Sequence, residues 1–367
     1  MTDGETPSGA LGWRLGETTA PALPVERELR QTAGRSDGRS LAVAPLICLK
    51  DVVWLATLPP LTVLAWLLPL ALCERLSGWV AHLSYAARPG RYAHFARMFG
   101  ELLPGHQDER AIAPLVRRAA SLHHLERFLL LRLYRPVRWR PRITVTGREH
   151  VESALASGGG AILWVKTSSF SDIMAKAAFH QEGFAVSHLS RHTHGGFSTT
   201  RFGIGFLNWI RTRMECRYLA RRVVIDPGQP KAALQQLAAL LSQNELVSIT
   251  AGAEAKRVTW VPVADGSLPL AGGAAKLALD TGAPLLPVFT ERLPDGTFQV
   301  TVEASIQHPE TAPDGAADDD RITRLLYRYG ALMGVYLMRL PEQNHCLGLY
   351  LIGSARKRTA SGQSRGR

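Results

Sequence analysis

Between Ile143 and about residue 306 the chain alternates short apolar runs with stretches of helical period. AILWV (161–165), FAVSHL (184–189), ELVSIT (245–250) and PLLPVF (284–289) are compact apolar runs of strand length. The spacing predicts helices around Ile173–Phe179, Lys231–Leu241 and Gly272–Asp280, so this part of the chain reads as an α/β domain. FQVTVEASI (298–306), which follows the turn sequence PDG, predicts an edge hairpin.

Upstream the texture differs. Val52–Cys73 carries no formal charge and is bounded by Lys50-Asp51 and Glu74-Arg75, a length that spans a hydrocarbon core. It begins too late for a secretory signal peptide, so a retained N-terminal membrane helix is expected. A buried core helix, or a re-entrant hairpin broken at Pro59-Pro60 and Pro69, is the alternative. Arginines far outnumber acids from Arg75 to Arg148, whereas residues 1–51 are balanced, which places the downstream part on the cytoplasmic side of an inner membrane.

Residues 77–142 are helical in pattern and basic. Leu115, Leu122, Leu125 and Leu129 fall on one stripe, with Arg117, Arg118 and Arg127 off it. Such a helix suits either a membrane surface or an ordinary core with a solvated outer face. The resulting organisation is a disordered tail (1–40), a membrane anchor (41–76), a basic amphipathic helical region (77–142), an α/β domain (143–353) and a basic disordered tail (354–367).

Composition narrows the function. The 367 residues are 46% apolar and 20% charged, enough to bury a real core, and 43 Lys and Arg against 31 Asp and Glu leave a net charge of +12. An anionic partner follows, whether phospholipid, nucleic acid or acidic protein. No nucleic-acid module appears, and the apolar segment argues against that partner. Cys48, Cys73, Cys216 and Cys346 form no CxxC pair, so neither a disulfide framework nor a zinc site is expected, and a reducing compartment fits. HExxH, the phosphate-binding GxxxxGK[ST] and a strand-anchored GxGxxG are all missing, so no metal and no cofactor is expected.

The richest run is GGGAILWVKTSSFSDIMAKAAF (158–179), a glycine turn, a strand, a polar loop and a helix. Loops at the carboxyl ends of strands in open α/β sheets hold ligands and catalytic groups, so Lys166–Asp172 is the first place to look. The plainer reading is a helix start capped by Ser169 or Ser171. A second run, from 248 to 288, joins a strand, a small-residue loop and a helix opening at Gly272-Gly273. Those glycines let a ligand or a packed helix lie close.

Together these pieces, from about Leu41 to Leu347, resemble the bacterial lipid A biosynthesis acyltransferases, the late lauroyl and myristoyl transferases of the lysophospholipid acyltransferase superfamily. The resemblance rests on the N-terminal apolar segment, the basic helical stretch, AILWV with its loop and Ser190-Arg191 after the second strand. It continues through FLNWIRTRME, VVIDPGQPKAALQQL, WVPVADGSLPLAGGAAKLALDTGAPLLPVF, PDGTFQV and the late PEQ of Pro341–Gln343.

The resemblance implies a glycerol-phosphate-acyltransferase-like mixed sheet flanked by helices. It also implies transfer of a fatty acyl group from an acyl thioester, on acyl carrier protein or coenzyme A, to a lipid acceptor. In that family a histidine stands five residues before an acid, and the acid orients the imidazole that takes the acceptor's proton. Here Asp172 holds the acid position and Thr167 stands in place of the histidine; none of the 12 histidines has an acid five places on.

A threonine hydroxyl is no base near neutral pH. One of His188, His192 or His194 beside Asp172, Lys166 with a lowered pKa, or Thr167 as an activated nucleophile would have to stand in; otherwise the protein is a lipid-binding or scaffold homologue. Arg191 matches the family's arginine after the second strand and would hold a phosphate or an oxyanion. Arg201, Arg211 and Arg213 are candidates for phosphate or an acidic carrier protein, and Glu254 matches the charged position of the third motif.

Overall fold

A computed structural model describes residues 45–87, 89–105, 108–136, 139–191, 197–225, 230–255, 257–307 and 318–364. The expected tail over 1–40, and His192 and His194, lie outside the described residues.

Among the described residues, nine strands and their helices make up the α/β part: β1 (Ile143–Thr146), α5 (Arg148–Ala156), β2 (Ala161–Val165), α6 (Ser171–Gln181), β3 (Val186–Arg191), α7 (Asn208–Cys216), β4 (Arg221–Ile225), α8 (Pro230–Ser242), β5 (Leu246–Thr250), β6 (Thr259–Val263), β7 (Gly266–Leu270), α9 (Gly273–Thr281), β8 (Leu285–Arg292) and β9 (Phe298–Val302). Seven strands form one sheet in the order β1-β9-β8-β2-β5-β3-β4, parallel except where β8 meets β9; β6 and β7 form a separate antiparallel pair.

The central strands β2, β5 and β8 are buried along almost their whole length, because helices cover both faces of the sheet. On one face Leu163, Val165, Leu286 and Val288 meet Ala175, Ala178 and Phe179 of α6. On the other, Trp164 stacks on Tyr329 of α10 (Asp318–Arg339) at 3.8 Å and Phe289 on Tyr336 at 3.7 Å between ring centres. Helix α10 also lies close against β6, where Gly330 has no side chain; a Cβ there would lie 2.7 Å from the Pro262 carbonyl.

Two expectations change. FQVTVEASI forms β9, but it is no edge: β1 pairs along its outer side in parallel register and takes the edge. The basic segment from residue 354 begins as helix, for α11 runs Leu347–Ser364.

The N-terminal segment is helical but not one rod. Helix α1 (Leu49–Leu67) runs through Pro59 and Pro60, and the chain breaks at Leu68-Pro69 before α2 (Leu70–Ala87). No helix among the described residues is long and apolar enough to cross a membrane, and Val52–Cys73 is divided between α1 and α2 instead of forming the single helix expected. Pro69 has no N–H to offer the Ala65 carbonyl. The buried Arg132 guanidinium replaces it, donating from Nη1 to Ala65 O at 3.0 Å and Leu68 O at 2.7 Å.

Arg132 ends α4 (Glu109–Arg132), which follows the short α3 (Ala93–Leu102). The apolar stripe of α4 faces inward: Leu125 and Leu129 are buried with Leu58, Ala65 and Cys73, and Leu122 packs against them. The stripe is thus a core face, and Arg118 stands exposed off it. The outer faces of α1 and α2 leave Val53, Val63, Leu67 and Trp79 exposed, Leu67 by 75%.

Asp51 closes the first turn of α1, accepting from Cys48 N at 2.9 Å, and ties that turn to the body by accepting from Thr200 Oγ1 at 2.7 Å. Burial would raise its carboxyl, but hydrogen bonds from Ser198, Thr200 and Cys48 outweigh burial and bring the pKa from the usual 3.8 to about 2.

Two measurements check this account. Replacing Arg132 by Leu leaves two carbonyls without a donor in apolar surroundings, and denaturant unfolding should show a loss of about 2 to 4 kcal/mol. Since Asp51 binds its proton less readily when folded, its contribution is present above 3.8 and is lost as the pH falls through about 2. The Asp51→Asn protein should lack that contribution at neutral pH and show a flatter acid limb in thermal unfolding followed against pH.

Candidate active site

Strand β2 ends at Val165 and the chain turns through Lys166–Phe170 into α6. Side chains alternate along an extended chain, so Lys166 follows Trp164 toward the α10 side and Thr167 follows Val165 toward α6. Lys166 is 1% exposed; its Nζ donates to Asn344 O at 2.7 Å, and burial lowers its pKa. Thr167 alone in this loop is exposed.

The loop is pinned on both sides. Lys166 N donates to Val288 O at 2.9 Å, Ser168 Oγ to Thr290 O at 3.3 Å and Ser169 N to Gln343 O at 3.0 Å. Neither Ser169 nor Ser171 caps α6 as expected. Phe170 precedes the helix with φ of 70° and no capping side chain, while Ser171 Oγ accepts from Ser168 N and donates to Ser168 O, both at 3.0 Å. A left-handed phenylalanine costs roughly 1 kcal/mol or more, offset by its ring packing edge-on against Phe298 at 5.4 Å.

Beyond this loop a cavity of about 450 Å³ straddles the carboxyl edge of the sheet. Its walls are mainly apolar, with Trp164, Leu189, Ile225, Leu234, Ile249, Leu349 and Ile352 supplied by β2, β3, β4, β5, α8 and α11. Its polar groups come from Thr167, Asp172, His188, Arg191, Glu254 and His345. The glycine pair divides its work: a Cβ on Gly272 would strike Ile322 of α10 at 2.9 Å, whereas Gly273 has open space and borders the cavity.

Of the sequence-derived residues, Thr167, Asp172, Arg191 and Glu254 are brought together around this cavity. Arg191 is already neutralised there, Nη1 lying 2.6 Å from Glu254 Oε2. Lys166 is not among the lining residues. Arg201 is exposed, and Arg213, also exposed, stacks over the Trp209 ring at 4.6 Å.

Arg211 reaches the site through Asp172, with which it forms a short ion pair. It also lies 3.4 Å from Glu215, which pairs in turn with the buried Lys176 at 3.0 Å, and 3.8 Å from Glu126. Burial opposes the Arg211 charge, but Asp172, Glu126 and Glu215 outweigh it and raise its pKa. Burial pushes the Glu126 carboxyl up despite Arg211. The motif acid is thus tied by α7 into a charge network behind the cavity.

Sequence reasoning missed His345, Cys346 and Ser248. Burial, then the Lys166 charge, lowers the His345 pKa to about 3, so its ring is neutral near pH 7. The PEQ motif directly before it was the available signal. Among the described residues no group of His, Cys, Asp and Glu side chains is placed to hold a metal ion.

A strand-end cavity with greasy walls and a few polar groups beside the loop after β2 is the arrangement expected of the family suggested by the motifs. Residues 124–345 match the family described as bacterial lipid A biosynthesis acyltransferase, and since they make up more than half of the chain, it belongs to that family. No curated protein matches the chain.

The charge network predicts unequal costs. Glu215→Gln leaves Lys176 buried without a counter-charge and should lower stability by about 3 kcal/mol. Asp172→Asn, removing a partly exposed partner from an arginine that keeps two others, should change it by about 1 kcal/mol or less. Denaturant titrations of both variants check the ranking.

Proposed function

We propose that the protein works at the cytoplasmic face of an inner membrane, moving a fatty acyl group from an acyl thioester, on acyl carrier protein or coenzyme A, to a lipid acceptor. The family supplies the acyl transfer on lipids. The observation that carries the finer reading is the cavity: apolar walls suited to a hydrocarbon chain are joined in one lining by Thr167, Asp172 and Arg191.

Membrane contact is supported by the greasy outer surface around α1. Arg201 N and Phe202 N donate to Pro45 O and Leu46 O, stitching the start of α1 to the segment before α7. Leu46, Leu49, Phe206 and Trp209 are all exposed along these two segments. Helix α7 carries both Trp209 and Arg211, so the greasy surface and the arginine that grips the acid of the cavity share one element. Arg201 and Arg213, exposed beside it, suit anionic headgroups or an acidic carrier protein.

A second reading, a lipid-binding or scaffold homologue without transfer, is favoured by one observation: Thr167 occupies the exposed loop position that calls for a base. One experiment separates the two. Full-length protein is incubated with acyl carrier protein or coenzyme A thioesters and lysolipid acceptors in anionic vesicles, and acylated lipid is measured. Product is expected, and Leu234→Trp, which fills the cavity, should reduce it at least about 10-fold without lowering the unfolding temperature. Acyl-chain binding without any product, from either donor, selects the scaffold.

A further inference from the structure

Among the described residues that line the cavity, the charged side chains are Asp172, Arg191 and Glu254, two carboxylates against one guanidinium. That guanidinium is engaged from both ends: Arg191 Nη1 pairs with Glu254 Oε2 at 2.6 Å, and Nη2 donates to Glu254 O at 3.4 Å. The two side chains are 42% and 54% exposed, and an ion pair so exposed is weak when its partners drift freely.

Here their backbones are held. Arg222 donates to Arg191 O at 2.8 Å and to Ser190 Oγ at 2.9 Å. Glu254 belongs to the loop 251–255 after β5, which is tied along its length. Ala251 N donates to Val165 O and Ala271 N to Gly252 O, each at 2.8 Å, while Arg356 of α11 donates to Ala253 O at 3.2 Å and to Ala255 O. The pair is thus presented ready-made where the cavity meets solvent.

We infer that this cavity takes a lipid whose head is an uncharged polyol, of sugar or glycerol type, and that Glu254 is the residue that turns phosphate-bearing heads away; the inference rests on reading the cavity as the lipid site, as above. Hydroxyls both donate and accept. They can donate to the Asp172 and Glu254 carboxylates and accept from the remaining Arg191 N–H groups while the ion pair stays closed. An ionised phosphate chiefly accepts. To reach Arg191 it must displace Glu254, which leaves a carboxylate without its counter-charge beside the new anion, with Asp172 in the same lining. Arg191, expected from the resemblance to hold a phosphate, thereby serves a neutral head.

The test compares dodecyl glucoside with dodecyl phosphate, which share a chain and differ in the head, binding to the full-length protein below their micelle concentrations. Cavity binding is the part that Leu234→Trp removes. The wild type should hold the glucoside at least about 5-fold more tightly, and Glu254→Gln should shrink that ratio at least about 5-fold. A smaller or inverted wild-type preference, or a ratio that Glu254→Gln leaves in place, overturns the inference.

Should Glu254→Gln not fold, Arg191→Gln decides: a loss of phosphate binding of about 10-fold or more shows that Arg191 holds the phosphate and overturns the inference, and a smaller loss supports it. If neither amphiphile enters the cavity, the inference falls together with the lipid site. Because binding needs no turnover, a wild type that shows the preference but transfers no acyl group removes the acyltransferase reading alone.

Discussion

The rest of the molecule depends on one constraint: the parallel sheet must be covered on both faces. Strands β2, β5 and β8 have no solvated side, so their side chains are spent on packing against α6 on one face and α8, α9 and α10 on the other. Polar chemistry is thereby driven to the strand ends, where extended backbone gives way to loops whose groups need not all be paired within the sheet. Thr167, Arg191, Gly252 and His345 all sit in that zone around a single cavity. The clamp between the motif loop and the Asn344 region gives the zone a fixed shape, with Lys166 as its inner pin.

Much of this was legible in the sequence because the central strands and their helices obey simple rules. Continuous apolar runs such as AILWV mark doubly covered strands; the helices over 171–181 and 230–242 enclose two of the spans read from spacing, and the helix over 273–281 is shifted by one residue from the third. The edge strands escaped. β1, ITVT, and β4, RRVVI, are short and of mixed polarity, since an edge needs apolar residues on only part of its surface. β6 and β7 contain Pro262 and Pro269, which mask a ladder that runs antiparallel outside the main sheet.

The site was half legible for a similar reason. Position in the motif loop identified Thr167 and Asp172, and the second strand identified Arg191, because these follow local order along the chain. That Arg211 would grip Asp172, that Glu254 would neutralise Arg191, and that His345 would enter the wall are facts of tertiary packing between segments distant in sequence. The same holds for the apolar N-terminal segment. Its composition allowed a spanning rod, but Pro69 divides it, and each half packs against α4. Asp172 has a structural role of its own in the ion pair with Arg211, which holds α6 to α7 whatever stands at position 167.

The repair of the Pro69 break by Arg132 bears on the order of events during synthesis. The carbonyls of Ala65 and Leu68 wait for a guanidinium 67 and 64 residues further along. Until Arg132 has been added at the end of α4, the junction between the first two helices has no guanidinium to close it. The α1–α2 segment is therefore not an autonomous folding unit but is completed by a later helix, a dependence built into the order of the chain.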